Sequence, residues 1–209
     1  ELGVTSKMSP NLSLALGSSE VSLLDLTTAY AGFLNLGSSV FPRGWTSLRL
    51  KKTGELIIKS TKQDSKKVMN PNSARVLINM LKTAVVQGTG KKAQIENWEI
   101  AGKTGTSQDA RDAWFVGFTS NYVAGVWLGY DDNSPLKGVT GGTLPAEIWS
   151  GIMRKIHVNA PKNLPAEPKN RYKEEYSNKN IIVKDKRENE EKPQTLLKIF
   201  LRLMKNLNQ

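Results

Sequence analysis

The sequence predicts an α/β protein, with helices packed on an antiparallel sheet. Three observations carry that expectation. Three strand-like segments, residues 98–106, 113–119 and 122–130, follow one another with short connections. Three stretches repeat apolar residues at helical spacing, two of them behind recognisable N-caps. At 209 residues the chain is long enough to bury a core in one or two domains.

The first 17 residues read as a loop leading into a helix. Ser22-x-x-Asp25 has the form of a capping box with Asp in the place of Glu, and Leu23, Leu26, Ala29, Tyr30, Phe33 and Leu34 make the apolar stripe. Gly37 is its stop signal. Residues 45–60 read as a hairpin, with Leu48 and Leu50 alternating, Thr53-Gly54 turning and Leu56-Ile57-Ile58 returning. Asn70-Pro71 opens a second helix, striped by Ala74, Leu77, Ile78, Leu81, Ala84 and Val85 and ended by Gly88. A basic loop, Gly88–Lys92, is expected to be flexible. The three strands then form a meander, closed by the tight Ser120-Asn121 turn, with the first strand at or near an edge. After Thr140-Gly141-Gly142, a third helix carries Pro145 in its first turn, Glu147 near its positive end and a stripe of Ile148, Trp149, Ile152, Met153 and Ile156. His157 is placed at the end of that helix.

Beyond residue 159 the composition changes. Residues 160–193, rich in Pro, Lys, Glu and Asn, read as a charged flexible linker. In 194–209, Leu196, Leu197, Phe200, Leu201, Leu203, Met204 and Leu207 fall on one side of a helix, with Lys198, Arg202 and Lys205 opposite. Such a basic amphipathic helix suits an anionic membrane surface, or docking on a partner or on the chain itself. The net charge is +11, and the last fifty residues hold twelve basic and seven acidic side chains. No basic run is interleaved with aromatics, which argues against nucleic acid. The chain has no cysteine and one histidine, so disulfides and thiol catalysis are excluded and a metal site of the usual imidazole type is not expected. No cofactor is called for. No run of eighteen apolar residues occurs, and the opening Glu1-Leu2-Gly3 is expected to be internal to a longer protein.

The candidate site is Lys103, Thr104, Gly105 and Thr106. It combines a cation, two hydroxyls on one face of a strand, and glycines at 102 and 105 that leave the backbone approachable. A strand edge so equipped can pair with an extended peptide and hold its carboxylate. A phosphate-binding loop is the rival reading, and it fails: Asn97 stands where the first glycine belongs, and Lys92 stands where Gly90-Lys91 would need Ser or Thr.

Lys103-Thr104-Gly105-Thr106, then Arg111–Thr119 (RDAWFVGFT) and Gly125–Asp131 (GVWLGYD), closely resemble the end of the transpeptidase domain of class A penicillin-binding proteins. Ser13–Val21, Ala29-Tyr30-Ala31, Gln87-Gly88-Thr89-Gly90, Thr140-Gly141-Gly142 and Pro145–Trp149 extend the likeness over residues 1–158. The resemblance implies the penicillin-recognising fold, present as its C-terminal half in residues 1–159. It implies a peptidoglycan D,D-transpeptidase of the bacterial cell envelope, with stem peptides as substrates and β-lactams as inhibitors. It further implies that Lys103, Thr104 and Thr106 bind the substrate carboxylate and that the Thr106 N–H forms half of an oxyanion hole. Such enzymes use Ser-x-x-Lys and Ser-x-Asn ahead of Lys-Thr-Gly. Both are expected before Glu1, so no catalytic residue is assigned within this chain. Ser134-Pro135-Leu136-Lys137 and Ser9-Pro10-Asn11 fit those patterns in the wrong order and read as loops. Two other readings stay open: a non-catalytic remnant of a split or decayed gene, and a basic envelope-binding module.

Overall fold

A computed structural model describes residues 2–8, 10–61, 63–157 and 163–166. The expected linker 160–193 lies almost wholly, and the helix 194–209 entirely, outside the described residues. Among the described residues, three α-helices, α1 (Leu23–Leu34), α2 (Pro71–Val86) and α3 (Leu144–Ile156), surround a sheet of three strands, β3 (Ala101–Thr106), β4 (Asp112–Phe118) and β5 (Val123–Gly129). A separate ribbon pairs β1 (Ser47–Arg49) with β2 (Leu56–Lys59).

The caps read from the sequence are formed. The Asn70 side chain accepts the Asn72 N–H at 2.9 Å, with Pro71 in the first turn of α2. Ser22 Oγ accepts the Asp25 N–H at 3.0 Å. The reciprocal half of the box is absent: Asp25 Oδ2 accepts instead from the Thr5 N–H and hydroxyl, at 2.9 and 2.8 Å, and from Ser6. The shorter Asp side chain at this position serves the irregular N-terminal segment rather than its own helix. Gly37, at φ 83°, donates to the Gly32 carbonyl and closes α1. Ahead of it, Asn11 caps a short 3-10 helix, Leu12–Leu16, within the stretch expected to lead into a helix.

The sheet is the expected meander, in the order β3-β4-β5, antiparallel throughout, so β3 is an edge strand among the described residues. It begins at Ala101 rather than Trp98, because Asn97 at φ 64° and a turn bond from the Trp98 N–H to the Ile95 carbonyl bend the chain just before it. Trp98 instead stacks edge-on against His157, centroids 4.0 Å apart. The loop expected to be flexible at Gly88–Lys92 is ordered into a 3-10 turn, Lys91–Ala93, with Ala93 fully buried.

Two apolar clusters hold the helices to the sheet. Phe115, Val126, Trp149, Met153, Ala146 and Val85 form the first, under α3. Trp149 also donates its indole N–H to the Ala124 carbonyl at 3.0 Å, so its one polar atom is satisfied inside. Ile78, Leu81, Ala101 and Phe118 form the second, joined by Tyr30 and Phe33 of α1. Ile152 and Ile156, read as part of the buried stripe of α3, stay exposed. The line that reaches the core runs through Ala146, Trp149, Ser150 and Met153, while Ile152 borders it and Ile156 sits in the last turn. Residues 163–166 return to the body, where Leu164 enters the second cluster and donates its N–H to Glu99 at 2.8 Å. The body therefore reaches past the boundary expected at residue 159. No helix among the described residues is long and apolar enough to cross a membrane.

Candidate functional site

Strand β3 pairs Gly102 with Gly117, Lys103 with Val116, Thr104 with Phe115, Gly105 with Trp114 and Thr106 with Ala113. Alternation puts Thr104 and Thr106 on one face and Lys103 and Gly105 on the other. Gly102 has a structural reason that differs from the one read in the sequence. A Cβ there would stand 2.8 Å from the Phe115 ring, and one at Gly117 would meet the same ring at 2.8 Å. These two glycines make room for a core phenylalanine, not for a ligand.

Two further segments close on the strand. Thr89, in the turn after α2, places its hydroxyl 2.6 Å from that of Thr104. Gly141 donates its N–H to Thr106 Oγ1 at 3.0 Å. The approach is so close that a Cβ on Gly141 would fall 2.4 Å from the carbonyl oxygens of Gly105 and Trp114, and one on Gly142 would fall 2.4 Å from that of Thr89. Thus the Gln87–Gly90 and Thr140–Gly142 segments, distant in sequence, are both built into the site. Neither Thr89 nor Gly141 was singled out by residue type. The signal was the glycine pairing around each threonine, which marks backbone lying against backbone.

The set is rich in donors. Lys103 and Thr106 are exposed, and Lys103 Nζ donates to the Thr104 carbonyl at 2.9 Å with no carboxylate in ion-pair range among the described residues. Thr106 Oγ1 already accepts from Gly141, which leaves its own proton to give. Of the Thr89–Thr104 hydroxyl pair, only one proton lies between the oxygens, so the other is free. One ammonium and two spare hydroxyl protons thus lie along the edge strand, the lysine leaving it on the face opposite the two hydroxyls. No group of three or more metal-ligating side chains occurs among the described residues.

The two look-alike motifs separate from this site in character. Ser134 follows the left-handed Asn133, at φ 58°, and donates its N–H to Asp132 Oδ1 at 3.0 Å. The Ser134 hydroxyl and N–H together hold the Asp132 carboxyl below its ordinary value. Residues 134–136 form no helix, so Ser134 and Lys137 do not share the helical turn that a serine–lysine pair requires. Asn11 is spent on capping the 3-10 helix.

The model of the penicillin-binding protein transpeptidase domain matches residues 4–154. The chain belongs to that family. Its relatives include penicillin-binding protein 1A of Aquifex aeolicus, 37% identical over 164 residues that cover 77% of this chain and 22% of that protein. Penicillin-binding protein 1A of Clostridium botulinum is 37% identical over 146 residues, covering 69% of this chain and 17% of that one. The chain thus spans about a fifth of the length of the curated relatives it matches. Among solved structures, penicillin-binding protein 1A of Haemophilus influenzae superposes with a TM-score of 0.63 at 25% identity, over 75% of this chain and 29% of that one. A penicillin-binding protein of Mycobacterium tuberculosis in complex with penicillin V gives 0.65 at 23% identity, over 75% and 44%, which is a likeness of fold. The mixed helix and antiparallel-sheet architecture expected from the sequence is therefore that of the transpeptidase domains.

Proposed function

We propose that this chain supplies the substrate-carboxylate side of a peptidoglycan D,D-transpeptidase, the reaction that cross-links stem peptides in the bacterial envelope and that β-lactams block. The observation that carries the reading is the donor-rich edge of β3, where Lys103, Thr104 and Thr106 offer an ammonium and free hydroxyl protons with no acid among the described residues paired to the ammonium. A D-Ala-D-Ala terminus and a β-lactam share what such an edge selects: an extended backbone ending in a carboxylate. Lying along β3, either ligand would place its reactive carbonyl beside the Thr106 N–H.

The nucleophile is assigned to a serine outside these 209 residues, since the one Ser-x-x-Lys here, Ser134–Lys137, lacks the required geometry. That serine would attack the carbonyl of the penultimate D-Ala, and the terminal D-Ala would leave as the amine. A neighbouring stem-peptide amine would then take the acyl group. Residues 160–193 as a linker and 194–209 as a membrane-surface helix complete the reading. The test is the rate of acylation by penicillin in a longer polypeptide carrying Ser-x-x-Lys and Ser-x-Asn ahead of residue 1. Lys103→Ala should slow it about ten- to a hundredfold, equivalent to roughly 1.5–3 kcal/mol for a charge-assisted bond. An unchanged rate would remove Lys103 from the site.

A further inference from the structure

The ribbon of β1 and β2 has no place in the site. All seven of its strand residues are exposed, and the apolar ones are large: Leu48 (55%), Ile57 (55%) and Ile58 (51%), with Trp45 (51%) at its base. A lone two-stranded hairpin is marginal in water, and one that turns aliphatic side chains outward gains nothing from them in isolation. The surrounding charge is as marked. Residues 43–67 hold eight Lys or Arg and two acidic residues, Glu55 and Asp64. None of the described cations among them takes part in an ion pair with another described residue.

Aliphatic side chains and cations with no ion pair among the described residues, carried together on and beside one thin ribbon, are matched by few surfaces. A second copy of this chain would bring eight more cations against these eight. A sugar polymer offers nothing for Leu48, Ile57 and Ile58 to bury into. An anionic lipid surface satisfies both, since the cations meet phosphates while the aliphatic tips enter the boundary between headgroups and acyl chains. We propose that residues 45–60 are a docking element for an anionic membrane surface. Arg43, Arg49, Lys51, Lys52 and Lys59 pair with lipid phosphates; Trp45, Leu48, Ile57 and Ile58 insert. This places a second membrane contact on the body of the protein, independent of residues 194–209.

Hydrogen exchange of the whole chain, read by mass spectrometry, localises the contact. With vesicles of phosphatidylglycerol and phosphatidylcholine, peptides spanning 45–60 should be protected; with phosphatidylcholine alone they should not. The exposed triple variant Lys51→Glu/Lys52→Glu/Lys59→Glu should abolish that protection and weaken partition by about a hundredfold, at roughly fivefold per cation. Leu48→Ser/Ile58→Ser should abolish it too, while protection of the β3–β5 peptides in both variants reports an intact fold. Protection confined to 194–209, or equal on neutral vesicles, would overturn the proposal. So would protection that grows with protein concentration without lipid, or on adding an acidic protein, since either would assign the ribbon to a protein partner.

Discussion

Gly141 decides more of the site than its lack of a side chain suggests. Its N–H fixes the Thr106 hydroxyl, and its Cα lies against the backbone of Gly105 and Trp114. Gly141→Ala must push the Thr140–Gly142 segment off the strand, because the added carbon would sit 2.4 Å from two carbonyl oxygens that cannot rotate away. We expect a loss of about 1–3 kcal/mol in stability, read as a fall in the melting midpoint, and a Thr106 hydroxyl freed from its partner. Gly151→Ala is the control. Nothing lies within 4 Å of its Cβ, and it stands inside α3, so the change should be neutral or stabilise by up to about 1 kcal/mol. The placement of Lys103, Thr104 and Thr106 together on one strand was legible in the sequence. Thr89 was not, because its partner Thr104 lies 15 residues on and only folding brings the two hydroxyls together.

At the scale of elements, the signals that worked were local. Asn70 before Pro71 sets the start of α2 whatever surrounds it, and Asn70→Ala should cost about 1 kcal/mol in chemical denaturation. The signals that misled depended on neighbours. The alternation Trp98–Ile100 continues into β3 on paper, yet a left-handed Asn97 turns Trp98 towards His157 instead. Asp25 has the spacing of a capping box but is claimed by Thr5 and Ser6 from outside its helix. Gly102 looked like open backbone for a ligand, whereas its space belongs to the Phe115 ring. Phe115 joins strand to helix, edge-on to Trp149 with centroids 5.2 Å apart. Phe115→Ala should therefore cost about 3–5 kcal/mol. It should also loosen β3, so ligand binding and stability should fall together.

Across the described residues, three carboxylates, the Ser134-bonded Asp132 among them, and one phenol set how stability follows pH. The Thr5 N–H and hydroxyl, with Ser6, hold Asp25 below its ordinary value. Partial burial pushes Glu99 up, but the Lys82 ammonium and the Leu164 N–H together outweigh it and hold the group down. Burial raises Tyr30 to about 12. A lowered acid binds fewer protons folded than unfolded, so its contribution is complete above the unfolded value and is lost as pH falls through the folded one. For Tyr30 the sign is opposite: stability is kept below pH 10 or so and lost above it, as the unfolded phenol ionises first. The melting midpoint should be flat from roughly pH 5 to 9 and decline on both sides. Glu99→Gln should lower the plateau and flatten the acid limb, because it removes both the ion pair and the strong acceptor for residue 164. A midpoint that rises towards pH 4 would contradict these assignments.

Peptide-resolved mass spectrometry after incubation of the 209-residue chain with penicillin tests the central claim most directly: β3 presents the ligand's carboxylate partners, and the acylating serine lies elsewhere. The account predicts an unmodified chain, because nucleophile and base act as a unit and the only Ser-x-x-Lys in the sequence is not helical. An acyl mass on the peptide bearing Ser134 would contradict it.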